Sequence, residues 1–153
     1  MHYEFVPGDE IVIAPGRTVK RIRALVAIAA LGVSAGDVGG YVEADKNLRG
    51  NAWVSGNARV SGNAQVSGNA WVSGNAQVSG NAAIFWASRV GTENGTFTAY
   101  KTKDGGIEIT RGCFRGSIDE FLAASEKKHD DRTHLEYRLL VEVAYSRLTT
   151  PKE

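Results

Sequence analysis

Apolar residues return at every sixth position through the middle of the chain: Val42, Leu48, Val54, Val60, Val66, Val72, Val78, Ile84 and Val90. A helix would repeat them every 3.6 residues and a long half-buried strand every two. A fixed period of six marks a repeat architecture instead. From Gly50 to Ile84 the unit reads Asn-Ala-x-Val-Ser-Gly, with little variation outside the x position. Ala-x-Val is a short in-out-in stretch of strand, with alanine and valine on the same side. Gly-Asn supplies a corner, because glycine enters the left-handed region freely and asparagine tolerates it better than most residues. Three corners at this spacing close a coil of 18 residues. Successive coils then stack about 4.8 Å apart as parallel strands. Val42 to Val90 spans eight six-residue units, about 2.7 coils.

The interior of such a coil would hold only Val, Leu, Ile and Ala. Each buried aliphatic side chain contributes about 1.5–3 kcal/mol, which from so few leaves the coil marginal alone. Its end coils would also expose unpaired strand edges. The flanks therefore read as caps. Residues 1–41 carry the strand-like runs YEFV and EIVIA, a Pro15-Gly16 turn and TVKRIRAL, predicting a β-hairpin or small sheet. The run from Val26 to Leu31 fits either a strand or a helical turn. Downstream, TFTAYKT and GIEITR flank Asp104-Gly105, a hairpin signal. Ser117-Ile118-Asp119-Glu120 is a capping box that starts a helix at Ser117, with Ile118, Phe121 and Leu122 on one face. A second helix over 133–148 places Leu135, Leu139, Val143 and Tyr145 among its buried candidates, and Pro151 ends it. The expected fold is mainly β: an N-terminal β cap (1–41), a β-solenoid (42–90) and a C-terminal α+β domain of ββαα order (91–153).

The variable position lies between inward alanine and inward valine, so it should face outward. Positions 18 apart share a face. One column holds Trp53, Trp71 and Arg89, a second Tyr41, Arg59 and Gln77, and a third Asn47, Gln65 and Ala83. Stacked indoles on the outside would form an apolar, cation-flanked surface of the kind that becomes an interface, unless the chain's own ends cover it. Trp53, Trp71, Arg89 and Arg59 are the candidate interaction face. Asn51, Asn57, Asn63, Asn69, Asn75 and Asn81 are expected to form corner ladders, and Arg17, Lys20, Arg21 and Arg23 a solvated strand face.

The spacing of an aliphatic residue and a small residue four positions later, in pairs such as Val54/Ala58, Val60/Ala64, Val66/Ala70, Val72/Ala76 and Val78/Ala82, resembles the hexapeptide-repeat left-handed β-helix. The left hand and the triangular section are what the resemblance implies, since parallel crossovers are normally right-handed. A right-handed solenoid, as in polymer-forming bactofilins, is the alternative. A second resemblance covers nearly the whole chain. RIRAL, GDVGGYVE, the NAWVSG/NARVSG units and TAYKTKDGGIEITRGCFRGSIDEF together resemble bacteriophage and prophage proteins that join hexapeptide repeats to a small C-terminal domain of unknown function. This implies origin and architecture, and no reaction.

Composition narrows the function classes. Among 153 residues, 18 Lys+Arg nearly balance 17 Asp+Glu, so the bulk charge of a nucleic-acid binder is missing. The most apolar stretch, Ala24 to Leu31, is too short to span a membrane. No secretory signal is visible and the single cysteine, Cys113, cannot form an internal disulfide, which together predict a cytoplasmic protein of a bacterial host cell. Hexapeptide solenoids are often acyltransferases with a catalytic histidine between coils. Here no histidine and no long inserted loop occur between Val42 and Val90. His129, Asp131 and His134 carry metal-ligating chemistry on paper, yet they read first as an interhelical loop in which Asp131 or Thr133 caps the second helix. Cys113 reads as a small buried residue and not a nucleophile.

These observations predict a non-catalytic interaction or scaffold protein, without cofactor or metal. It is expected to form a homo-oligomer, dimer or trimer, and to bind a protein partner such as a host factor, defence components included. One alternative is an enzyme or small-molecule binder with a site between subunits or at the solenoid/C-terminal junction, using Arg115, His129, His134 or Asp131. The other is a self-assembling polymer, which needs bare ends.

Overall fold

The computed structural model describes residues 2–112 and 114–149. Cys113 and Pro151, on which two expectations fall, lie outside the described residues. At the N-terminus β1 (Tyr3–Ala14) and β2 (Arg17–Ala24) form an antiparallel hairpin around Pro15 and Gly16. The run after β2 is a turn: Ile28 and Val33 bridge each other and are buried around a single 3-10 turn, Ala29–Leu31. β3 (Val38–Val42) then pairs antiparallel with β2. The basic residues expected on a solvated face are mostly paired. Arg17 bonds Glu43, Arg21 bonds Asp9 and Tyr41, and Arg23 bonds Glu4.

The repeat region carries four two-residue strands, β4 (Trp53–Val54), β5 (Arg59–Val60), β6 (Trp71–Val72) and β7 (Gln77–Val78). Their parallel register is 18 residues throughout. Trp53 pairs with Trp71 and Val54 with Val72, while Tyr41, Arg59 and Gln77 form one row and Val42, Val60 and Val78 another. A bridge between Leu48 and Val66 continues the same offset. Because β3 starts one of these ladders, the N-terminal hairpin and the repeat share a five-stranded sheet in the order β1-β2-β3-β5-β7. Ala52, Ala58, Ala64, Ala70 and Ala76 are fully buried, and so are Val54, Val60, Val66 and Val72. They form one core with Ile22, Trp53 and Tyr100.

Glycine, not asparagine, takes the strained corner angle. Gly50, Gly56, Gly62, Gly68 and Gly74 all have φ between 61° and 65°, where a side chain is disfavoured. The corners are joined through the backbone: Asn51 N–H donates to Gly68 O and Asn57 N–H to Gly74 O. Main-chain bonds one coil apart thus join these corners where a ladder of asparagine side chains was expected, and of the corner asparagines Asn81 reaches the neighbouring coil, its Oδ1 accepting from Gln65 N–H at 3.0 Å. Asn47 also departs from its predicted outward position. It is fully buried, its Nδ2 donating to Ala64 O at 2.8 Å and Gly62 O at 3.1 Å while its Oδ1 accepts from Ala44 N–H.

The repeat ends earlier than its period suggests. Gly80 is extended, a 3-10 turn follows at Asn81–Ala83, and β8 (Ile84–Val90) runs antiparallel to β9 (Gly95–Lys101). Val90 and Arg89 keep the six-residue spacing yet belong to the C-terminal sheet. With β10 (Ile107–Arg111) and β11 (Phe114–Ser117) that sheet has the order β11-β10-β9-β8. The hairpin predicted around Asp104-Gly105 is its centre, but four strands, not two, precede the helices. Ser117 caps α1 (Ile118–Lys128) with the predicted capping box. α2 (Asp131–Thr149) is capped by Asp130, whose Oδ1 accepts from Thr133 N–H at 2.8 Å, in place of Asp131 or Thr133. Its buried residues are Tyr137, Val141, Ala144 and Leu148, and Leu135, Leu139, Val143 and Tyr145 are exposed. The ring of Tyr137 stands edge-on to Phe121 at 5.1 Å and sets that rotation. No helix among the described residues is long and apolar enough to cross a membrane.

Candidate functional site

The expected tryptophan face is built and then covered by the chain itself. Trp53 and Trp71 stack in register, but Trp53 is only 2% exposed. β3 lies against it so closely that a Cβ on Gly39 would sit 2.7 Å from the indole, and His2 approaches from the N-terminus. Trp71 is half-buried at the seam with the C-terminal sheet. Its Nε1 donates to Ser55 Oγ at 2.9 Å, its main-chain N–H donates to Thr98 Oγ1 and its carbonyl accepts from Thr110 Oγ1 at 2.6 Å. Arg89 leaves the column altogether, with φ of 61° in β8. An indole column between two β-rich flanks offers them more apolar area than it offers water. Arg59, between Tyr41 and Gln77, keeps a half-exposed position in its predicted row.

The titratable candidates do not assemble into one site. His134 Nδ1 is 2.9 Å from Ser125 Oγ, His129 lies against the Tyr137 ring at 5.4 Å, and Asp131 starts α2. Arg115 is 4.0 Å from Glu108, which also accepts from the Tyr100 hydroxyl. Burial and then that bond push the Tyr100 phenol far above its ordinary range. Among the described residues no group of three His, Cys, Asp or Glu comes together as metal ligands. Sequence reasoning missed Arg111. It lines a cavity of about 400 Å³ with Phe114, Phe121, His129 and Tyr137. Its Nη1 is 3.4 Å from Glu93 and its guanidinium lies over the Tyr137 ring at 5.8 Å, while its Nε and Nη2 and the Tyr137 hydroxyl are buried without a hydrogen-bond partner. Nothing in the hydrophobic pattern distinguishes this arginine from its neighbours.

An apolar stripe on α2 is uncovered. Leu135, Leu139 and Val143 are 47%, 53% and 47% exposed on α2. At four-residue spacing they cover about 80° of helix arc, opposite the face that packs on the sheet. Arg138, Glu142 and Tyr145 flank this stripe on one side, and Glu136 and Arg147 on the other.

A family model of the YdcK β-solenoid repeat matches residues 52–66 and 64–80, the stretch that contains β4 to β7. The chain is a β-solenoid repeat protein, with two helices at its C-terminal end. No curated protein and no solved structure matches it.

Proposed function

We propose that the protein is a non-catalytic interaction scaffold of phage or prophage origin that works as a homodimer through the outer face of α2. The solenoid is read as a left-handed, three-sided hexapeptide coil, supported by its aliphatic and small residues four apart. Its role is to be a rigid mount. Valine and alanine fill its interior, and it contributes no histidine. Polymerisation is disfavoured because both edges of the repeat are engaged: β2 pairs with β3 on one side, and Lys103 N–H donates to Asn75 O on the other.

The observation that carries the reading is the Leu135, Leu139, Val143 stripe, exposed although the helix has a complete buried face elsewhere. A second copy is the occupant that fits it. In an antiparallel pair about a two-fold axis, like flanks meet. Centred near Leu139 and Val143, the pair sets Arg138 of each copy against Glu142 of the other, and brings Glu136 toward Arg147 on the opposite flank. Each helix thus supplies its own charge complement. Sedimentation velocity tests this. Leu139→Glu should give a monomer with unchanged helical circular dichroism. Arg138→Glu should weaken the dimer, and the added Glu142→Arg should restore it. A wild-type chain that is monomeric at micromolar concentration, or a dimer indifferent to all three variants, would refute the reading.

A further inference from the structure

A second surface, independent of the helix face, lies where three segments converge on the outward row of the solenoid. It is a groove of about 410 Å³ lined by Arg17, Arg59, Gln77, Ser79, Lys101 and Lys103 among its polar residues. β5 and β7 place Arg59 beside Gln77 in register. Thr102 bridges antiparallel to Ala76, and Lys103 N–H donates to Asn75 O at 3.1 Å. The hairpin between β9 and β10 is therefore pinned to the last coil, and Lys101, at the end of β9, and Lys103, in the turn, both line the groove. Arg17 enters from the start of β2.

Four cations line this groove and no carboxylate does. Arg17 is matched by Glu43 at 2.9 Å, but Arg59, Lys101 and Lys103 form no ion pair among the described residues. Glu43 and Asp104, on the flanking segments, are already engaged by Arg17 and by the Thr102 hydroxyl. A generally basic chain would not explain this, because the net charge is only +1. The N-terminal sheet shows the contrast, with Arg21 and Arg23 each given an acidic partner. Like charges gathered on rigid, registered strands are a standing repulsion that an anion removes.

We propose that this groove binds a compact small molecule carrying two or more phosphate groups. Arg59 supplies planar, bidentate donors and the lysines supply point charges, a combination suited to phosphate oxygens. Gln77 and Ser79 add neutral donors. The volume matches a small ligand. A nucleic-acid strand fits less well: no aromatic side chain lines the groove to stack a base, and the bulk charge provides no wider basic track.

Isothermal titration calorimetry of the full chain with inorganic tripolyphosphate at low salt tests the proposal, with orthophosphate, citrate and hexaglutamate as comparison probes. One saturable site per chain is expected for tripolyphosphate, weakened by added sodium chloride. Arg59→Gln, and separately Lys101→Gln with Lys103→Gln, should each lower its affinity about tenfold. Lys127→Gln on α1 should leave it unchanged. Equal thermal midpoints of the unliganded variants confirm that folding is intact, and a variant that fails this is replaced by Lys103→Gln alone, which is exposed. The proposal is overturned by an absence of saturable heat or by equal loss in the Lys127 variant. It is equally overturned by citrate or hexaglutamate binding as tightly as tripolyphosphate.

Discussion

Gly62 sits at a solenoid corner with φ of 61°, under the carbonyl of Ser79, where an added Cβ would approach to 2.4 Å. Gly80, one repeat from the end, is extended and has open space around its Cβ direction. Identical residues in near-identical hexamers therefore carry different requirements. Gly62→Ala should lose about 1–3 kcal/mol in urea unfolding, whereas Gly80→Ala should stay within about 0.5 kcal/mol of wild type. Trp53, buried between β3 and the coil, should cost about 3–5 kcal/mol as Trp53→Ala. Equal midpoints for Trp53→Ala and wild type would place that indole on the surface, against its burial here. The spacing of 18 placed Trp53 over Trp71 and Arg59 between Tyr41 and Gln77 correctly. It could not reveal which outward positions the flanks cover, because Tyr41 meets Arg21 and Asp9 and Trp53 meets β3 and His2 through docking that no local period encodes.

At the scale of elements, the signals with a local mechanism were legible. The Pro-Gly and Asp-Gly turns, and the reciprocal bonds of Ser117 and Glu120, depend on neighbours a few residues away. Ser117→Ala should therefore cost about 1 kcal/mol of stability by thermal or urea unfolding. α2 was placed but rotated. Its apolar residues fall on two opposite faces, so the pattern alone gave no reason to bury Tyr137 and Val141 in preference to Leu135 and Leu139. The aromatic cluster of Phe97, Phe121 and Tyr137 decides it, and that cluster joins three elements distant in sequence. β8 was concealed differently, since Ile84 and Val90 continue the repeat's spacing while pairing with β9.

Across the whole molecule, the hairpin of the N-terminal half is fastened to the solenoid by Glu43, which accepts from Arg17 and from Gly62 N–H. The Arg17 bond, followed by the Gly62 bond, holds its carboxyl at about 2, below the ordinary 4.5. A carboxyl lowered by folding stabilises the fold above its unfolded value, and that contribution disappears as pH falls from about 4.5 toward about 2. Melting curves of wild type and Glu43→Gln should thus differ at neutral pH and converge near pH 2. A constant difference across that range would show that Glu43 contributes no acid-dependent clamp.

The proposed pairing through α2, with the repeat flanked on both sides, predicts a discrete pair of chains. Light scattering after size exclusion measures this directly. A single species of 2 × 16.4 kDa is the predicted result. A polydisperse series of larger masses would contradict the engaged edges of the solenoid, and a species of 16.4 kDa would contradict the pairing of α2.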